Sequence, residues 1–207
     1  TMAPTTSFWD CGEFIATSIT LGVPHPPGTP FYLLLGNFFS QLPTYSDLGA
    51  RVNIISPIFS ALSVMFLYLI IVQLIKQWHG EVKRWPDYLI TYGSALIGAF
   101  TFAVTDSHWF NAVEAEVYSL STFFTSIVVW LILKWNTNSG HPGNVRYILI
   151  IAYMLGLAIG IHLLNLLALP FIALIIYFNK YNFKPSTFIA TVSITLLTFI
   201  IIYLGII

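Results

Sequence analysis

Apolar residues in this chain gather in long runs separated by short polar breaks, and each run has the length a membrane demands. A hydrocarbon core about 30 Å thick is crossed by roughly 20 apolar residues in a helix. Residues 52–75, 88–105, 113–133 and the run from 186 onward meet that demand. Between 147 and 178 lies a longer stretch with a polar interruption at His162 and Asn165, Gly156 and Gly160 before it and Pro170 after it. This predicts two short helices joined by a turn at those polar residues, each arm rising about 22 Å at 1.5 Å per residue. Residues 1–50 are less apolar. They hold two amphipathic stretches, 12–21 with Phe14, Ile15, Ile19 and Leu21 on one side, and 31–42 with Leu34, Leu35, Phe38 and Phe39 on another. Both are too short to span and are expected to lie along an interface. Pro24-His25-Pro26-Pro27-Gly28-Thr29-Pro30 separates them as an extended loop.

Composition makes lipid the solvent. Hydrophobic residues are 57% of the 207, charged residues only 8%, where a soluble domain carries charge on about a quarter. Mean hydropathy is +0.82. Eight basic residues balance eight acidic ones, which removes the electrostatic case for nucleic acid as a partner. Cys11 is the single cysteine and has no disulfide or metal-ligand companion. The opening at Thr1 without a signal core and the stop at Ile207 within an apolar run read as a fragment.

Charge position orients the helices. Lys76, Lys83, Arg84, Lys134, Arg146, Lys180 and Lys184 fall on one side if residues 147–178 cross twice, and the positive-inside rule makes that side cytoplasmic. Six crossings follow. Asp10, Glu13, Asp47, Asp106, Glu114 and Glu116 then lie outside, so the outer face carries the unusual chemistry. The expected architecture is all-α: a first extracytoplasmic loop with two interfacial helices over residues 1–50 and a transmembrane bundle over 51–207.

Several outer residues are candidates for chemistry. Asp10 and Glu13 fit a helix N-cap and its first turn, and taken alone that capping role is the simpler reading. A carboxylate beside apolar interface surface is also suited to take a proton from a hydroxyl. His25 sits in the proline-locked loop, and Arg51 is the outer basic residue, able either to snorkel or to hold a phosphate. Asp106, His108, Glu114 and Glu116 crowd one loop. Their spacing matches no zinc signature, so a divalent cation there is weakly supported. If that loop is helical, Glu114 and Glu116 face different sides and at most one shares a cleft with Asp10. His162 and Asn165 sit at membrane depth, where polar residues serve a site or a helix–helix hydrogen bond.

Four blocks carry a family resemblance: Pro4 through Ala16 (PTTSFWDCGEFIA), His25-Pro26-Pro27-Gly28, Ala112 through Ser119 (AVEAEVYS), and His162-Leu163-Leu164-Asn165. In that order they resemble a bacterial membrane family long labelled a domain of unknown function. That family includes the animal transmembrane protein O-mannosyltransferase acting on plexin-type receptors, and belongs with the GT-C glycosyltransferases. The resemblance implies an inverting transferase that moves a sugar, a hexose such as mannose, from a polyprenyl-phosphate carrier to a protein Ser or Thr hydroxyl. It implies a further helix before Thr1 and a site facing the periplasm of a bacterial inner membrane. Asp10 would be the catalytic acid in the first outer loop, with Glu13 second. His25, Arg51 and His162 would hold the donor phosphate; His108, Glu114, Glu116 and Asn165 would bind sugar or acceptor. No cofactor is implied beyond the lipid-linked donor. Two departures stand out: His25 occupies the place of a lysine in the Lys-Pro-Pro of many relatives, and Cys11-Gly12 separates the two acids. The other classes are a transporter or lipid-handling scaffold lined by His162 and the outer acids, and a non-catalytic assembly subunit.

Overall fold

The computed structural model describes residues 2–80 and 82–206, so the chain ends at Thr1 and Ile207 lie outside it. Every regular element among the described residues is helical. The first two are short. α1 (Cys11–Thr20) starts at Asp10 and stops where Leu21 turns left-handed, three residues before Pro24. Pro30, which has no N–H to leave orphaned, opens α2 (Pro30–Ser40).

α1 and α2 pack at close range because Gly36 offers no side chain. A Cβ added at Gly36 would collide with the Ser18 side chain. That contact rotates α2 from the expected orientation: Tyr32, Leu33, Gly36 and Ser40 are buried, while Leu34 and Phe38 face outward. Leu35 and Phe39 pack partly against the core. Periodicity located the helix, and the small residue chose its inner face.

α3 (Leu48–Asn53) is capped by the Asp47 side chain, which accepts from the Ala50 N–H at 3.0 Å. It runs on into α4 (Ile55–His79), the first membrane-crossing helix. The return consists of α5 (Trp85–Tyr88), a π-helical turn over 89–93 and α6 (Ser94–Ala103), after which the chain bends by 65° into α7 (Asp106–Ala112). Residues 113–116 are not helical, and α8 (Val117–Thr137) begins four residues later than the expected span. α9 (Val145–Ile159), a 3-10 turn over 163–167 and α10 (Ala168–Lys180) form the expected hairpin, and α11 (Pro185–Ile206) follows.

Among the described residues, four helices are long and apolar enough to cross a bilayer, or five if the bent pair around α6 and α7 counts as one span. α9, at 15 residues, is shorter, as the hairpin reading expects. Interhelical hydrogen bonds give direction. Ser60 meets Ser119 at 2.9 Å near the starts of α4 and α8, Gln73 reaches the Leu133 carbonyl at 3.0 Å near their ends, and Asn179 of α10 reaches Asn136 at 2.7 Å. α4, α8 and α10 therefore run parallel, which brings Lys76, Lys134 and Lys180 to one end of the bundle. Asp10, Glu13, Asp47, Asp106, Glu114 and Glu116 belong to the other end, while Asp87 stays at the lysine end, bonded to Arg84.

One side chain locks that other end together. Asn53, fully buried, donates to the Ala3 and Thr5 carbonyls at 2.8 and 2.9 Å, accepts from the Ala115 N–H at 2.9 Å, and receives a Cys11 thiol contact at 3.7 Å. The Ala3 N–H completes the seam with the Val113 carbonyl at 2.7 Å. Segments far apart in sequence thus meet around a single amide. Below them Cys11, Phe14, Tyr32, Val52, Leu120 and Ile161 share one apolar core. Replacing Asn53 by alanine orphans the buried Ala115 N–H, and should cost about 1–3 kcal/mol, read as a lower thermal midpoint in detergent. Gly36→Ala should cost a similar amount, about 1–3 kcal/mol, by overpacking against Ser18 in the same measurement.

Candidate active site at the outer end of the bundle

Asp10 occupies the N-cap position of α1, yet its side chain makes no capping hydrogen bond. The simpler reading of this residue therefore does not describe it. Its carboxylate is exposed and lies on the wall between two openings.

Glu13 is engaged elsewhere. One carboxylate oxygen accepts from the His25 backbone N–H at 2.7 Å and the other meets His25 Nδ1 at 2.8 Å. Helix α1 thereby holds the proline loop, and Phe14 sets its ring against the imidazole with centroids 5.9 Å apart. The hydrogen bond to His25 keeps the Glu13 carboxyl below its ordinary range, and the same bond raises the proton affinity of His25. An ion pair results in which the histidine retains its charge to higher pH.

His162 caps the turn after α9. Its Nδ1 accepts the Leu164 N–H at 3.1 Å, which leaves Nε2 to carry the proton, and Tyr118 lies against it with ring centroids 5.3 Å apart. Burial pushes its imidazole below the usual range, so it is a neutral donor. Between His25 and His162 a crevice of about 60 Å³ also exposes Asp10, Glu116 and Tyr118. It shares Pro27 and His162 with a much larger, mainly apolar cleft of about 640 Å³, walled by Val23, Pro24, Leu163, Leu167 and Phe199.

Glu116 belongs to this site and Glu114 does not line it. Residues 113–116 are non-helical, with Glu116 extended at φ −137° and ψ 150°, and the two acids turn to different sides. The separation predicted for a helix is produced here by a loop. Burial first, then the charges of Asp10 and Glu114, push the Glu116 carboxyl up to about 7. Glu114 is buried with neither carboxylate oxygen partnered among the described residues.

Three further candidates stand apart. Arg51 donates from Nε to the Tyr45 carbonyl at 2.6 Å and from Nη1 to the Ser40 carbonyl at 3.1 Å, tying down the loop after α2, and lines neither cleft. His108 is buried with its ring 4.3 Å from Phe102 and faces a separate cavity beside Pro57, Ser60 and Trp109. Asn165 has all four hydrogen-bonding positions filled, by the Ala158 and His162 carbonyls and the Ser121 and Thr125 hydroxyls. It braces the turn and has no capacity left for a substrate. The weakly supported cation set of Asp106, His108, Glu114 and Glu116 is not gathered into a three-ligand group among the described residues. Among the described residues, ligand atoms approach within 4.8 Å of one another only at Asp10, Glu13 and His25, where a cation would have to replace the Glu13–His25 hydrogen bond.

Sequence reasoning assigned no role to Asn53, Trp9, Phe110 or Tyr118. Asn53 carried a usable signal, an amide at the start of an apolar run where an unpaired polar group is costly. The aromatics carried none, since aromatic residues are common throughout the chain.

The chain is 27% identical over 184 residues to "Protein O-mannosyl-transferase tmem260" of Dictyostelium discoideum, covering 83% of this chain and 21% of that protein. It is 26% identical over 150 residues to "Protein O-mannosyl-transferase TMEM260" of Mus musculus, covering 72% of this chain and 19% of that protein. The chain thus spans about a fifth of the length of these curated relatives. No solved structure matches it. The profile of one family, the protein O-mannosyl-transferase TMEM260 N-terminal domain, matches residues 10–185, from the acid at the head of α1 through the hairpin, and the chain belongs to that family.

Proposed function

We propose that this chain carries the catalytic end of a membrane glycosyltransferase of GT-C type, transferring mannose from a polyprenyl-phosphate carrier to a protein Ser or Thr hydroxyl. The carrying observation is Asp10: a carboxylate at a helix N-terminus, free of capping duty, in a crevice with His25, Glu116 and His162 that joins an apolar cleft at Pro27 and His162. The names of the two relatives support the sugar and the protein acceptor. The site lies at the end of the bundle opposite the lysines, hence on the non-cytoplasmic face, which in a bacterial inner membrane is the periplasm.

The chemistry follows from the positions. The polyprenyl chain lies in the apolar cleft and its phosphate reaches the crevice between His25 and His162. Asp10 takes the proton from the acceptor hydroxyl as that oxygen bonds to the anomeric carbon. The bond from that carbon to the phosphate oxygen breaks on the opposite face, with inversion, and polyprenyl phosphate leaves carrying the electron pair. His25, charged through Glu13, and the Nε2–H of His162 receive the developing negative charge. The histidine in place of lysine is thus converted into a more persistent cation by its partner. Glu116, with its raised proton affinity, can donate to a sugar hydroxyl near neutral pH. Against a transporter, the candidate residues collect at one end of the bundle instead of lining a path across its middle.

The full-length protein, supplied with radiolabelled polyprenyl-phosphate mannose and a Ser/Thr peptide, tests this. Asp10→Asn should reduce transfer about 10²- to 10⁴-fold, the contribution of a general base; wild-type rates in that variant would remove Asp10 from the reaction. Glu13→Gln acts differently. Because Glu13 raises the His25 proton affinity, the cation is present below the raised value and lost above it. Removing Glu13 should therefore move the alkaline limb of the kcat/KM profile to lower pH. An unmoved limb would show that His25 is not the charge in use.

A further inference from the structure

The crevice holding Asp10 has a second mouth. A cleft of about 250 Å³ walled by Trp9, Phe110, Asn111 and Tyr118 also reaches Asp10 and Glu116. His25, His162 and the proline loop, where the donor phosphate belongs, line the crevice and the apolar groove but not this cleft. Displacement with inversion needs the nucleophile opposite the leaving group. The hydroxyl therefore cannot share the opening that phosphate and lipid fill, which leaves the aromatic cleft as its way to Asp10.

Trp9 itself is unusual. Its backbone sits at φ 55°, a left-handed conformation that a bulky residue rarely adopts, and its indole is 83% exposed. The strain holds a large ring out beside Asp10 where packing does not demand it. Phe110 and Tyr118 are also partly exposed, at 46% and 43%. Asn111, whose amide nitrogen donates to the Ser107 carbonyl at 2.8 Å, adds a carbonyl oxygen able to accept a backbone N–H.

Resting on the transferase reading, we infer that this aromatic cleft is the acceptor site and takes an extended polypeptide segment, with a Ser or Thr hydroxyl against Asp10 and flanking backbone between Trp9, Phe110 and Tyr118. Rigid aromatic faces grip a chain at low entropic cost and without a strict sequence requirement. The cleft is too small for a folded surface, so the modified residue must lie in an extended loop or an unfolded stretch.

The test uses the full-length protein with Trp9→Gly, Phe110→Ala and, as a control far from the site, Trp78→Ala. Glycine adopts φ 55° without strain, so Trp9→Gly removes the ring and relieves the backbone together. Both cleft variants should raise the acceptor-peptide KM about tenfold, the loss of one good aromatic contact, while the donor KM stays constant and Trp78→Ala changes neither. Equal rises in both constants, or an unchanged acceptor KM, would overturn the assignment. Photo-crosslinking of the peptide without donor separates the two readings. A wild-type crosslink weakened in Trp9→Gly supports the acceptor cleft even if no mannose is transferred, in which case the transferase reading alone fails. A peptide that does not crosslink to wild type, or crosslinks equally to Trp9→Gly, overturns the cleft whatever the turnover.

Discussion

The saturated amide of Asn53 is the constraint on which the outer end of this protein depends. It sits at the head of the first long helix, yet its partners belong to the N-terminal segment, to α1 and to the loop before α8. A buried amide with unpaired groups would cost several kcal/mol in an apolar surrounding, so the three segments are held in one register. Asp10 adjoins Cys11 along the chain and Glu116 adjoins Ala115. Fixing those neighbours of Asn53 fixes the distance between the two carboxyls that share the site.

Around that seam the electrostatics are arranged so that crowded acids keep separate duties. Glu13 is neutralised by His25 and anchors the proline loop, which frees Asp10 from competition for the same partner. Glu116 is buried beside Asp10 and Glu114, and its raised proton affinity keeps three carboxylates from all charging together near neutral pH. His162, neutral and oriented by its cap on Leu164, contributes a directed donor instead of a second cation. On the phosphate side the charge of His25 is under the control of one neighbour on α1, Glu13.

The apolar surroundings complete the arrangement. The wide groove lies between the proline loop, the α9–α10 turn and α11, and the narrow aromatic cleft reaches Asp10 and Glu116. Asn165, expected at the substrate, instead joins α8 to the α9–α10 turn and so keeps His162 where the groove meets the crevice. A polar residue at membrane depth here serves the site from behind.

Much of this was legible before any coordinates. Run length located the helices, because a helix in lipid must satisfy its backbone internally, and the basic residues marked the end of the bundle where Lys76, Lys134 and Lys180 gather. The pause at His162 and Asn165 marked the hairpin turn for the same reason. The resemblance singled out Asp10, Glu13, His25, Arg51, His108, Glu114, Glu116, His162 and Asn165; Asp10, His25, Glu116 and His162 line one crevice, with Glu13 bonded to His25. Which face of α2 turns inward, why Arg51 and His108 stand away from the cleft, and how Asp10 and Glu13 divide their work were decided only in three dimensions. Each depends on contacts between residues distant in sequence: Gly36 with Ser18, Arg51 with the loop after α2, Glu13 with His25, Asn53 with Ala115. Periodicity reports which residues avoid water, and it carries no information about which partner a side chain meets once water is gone.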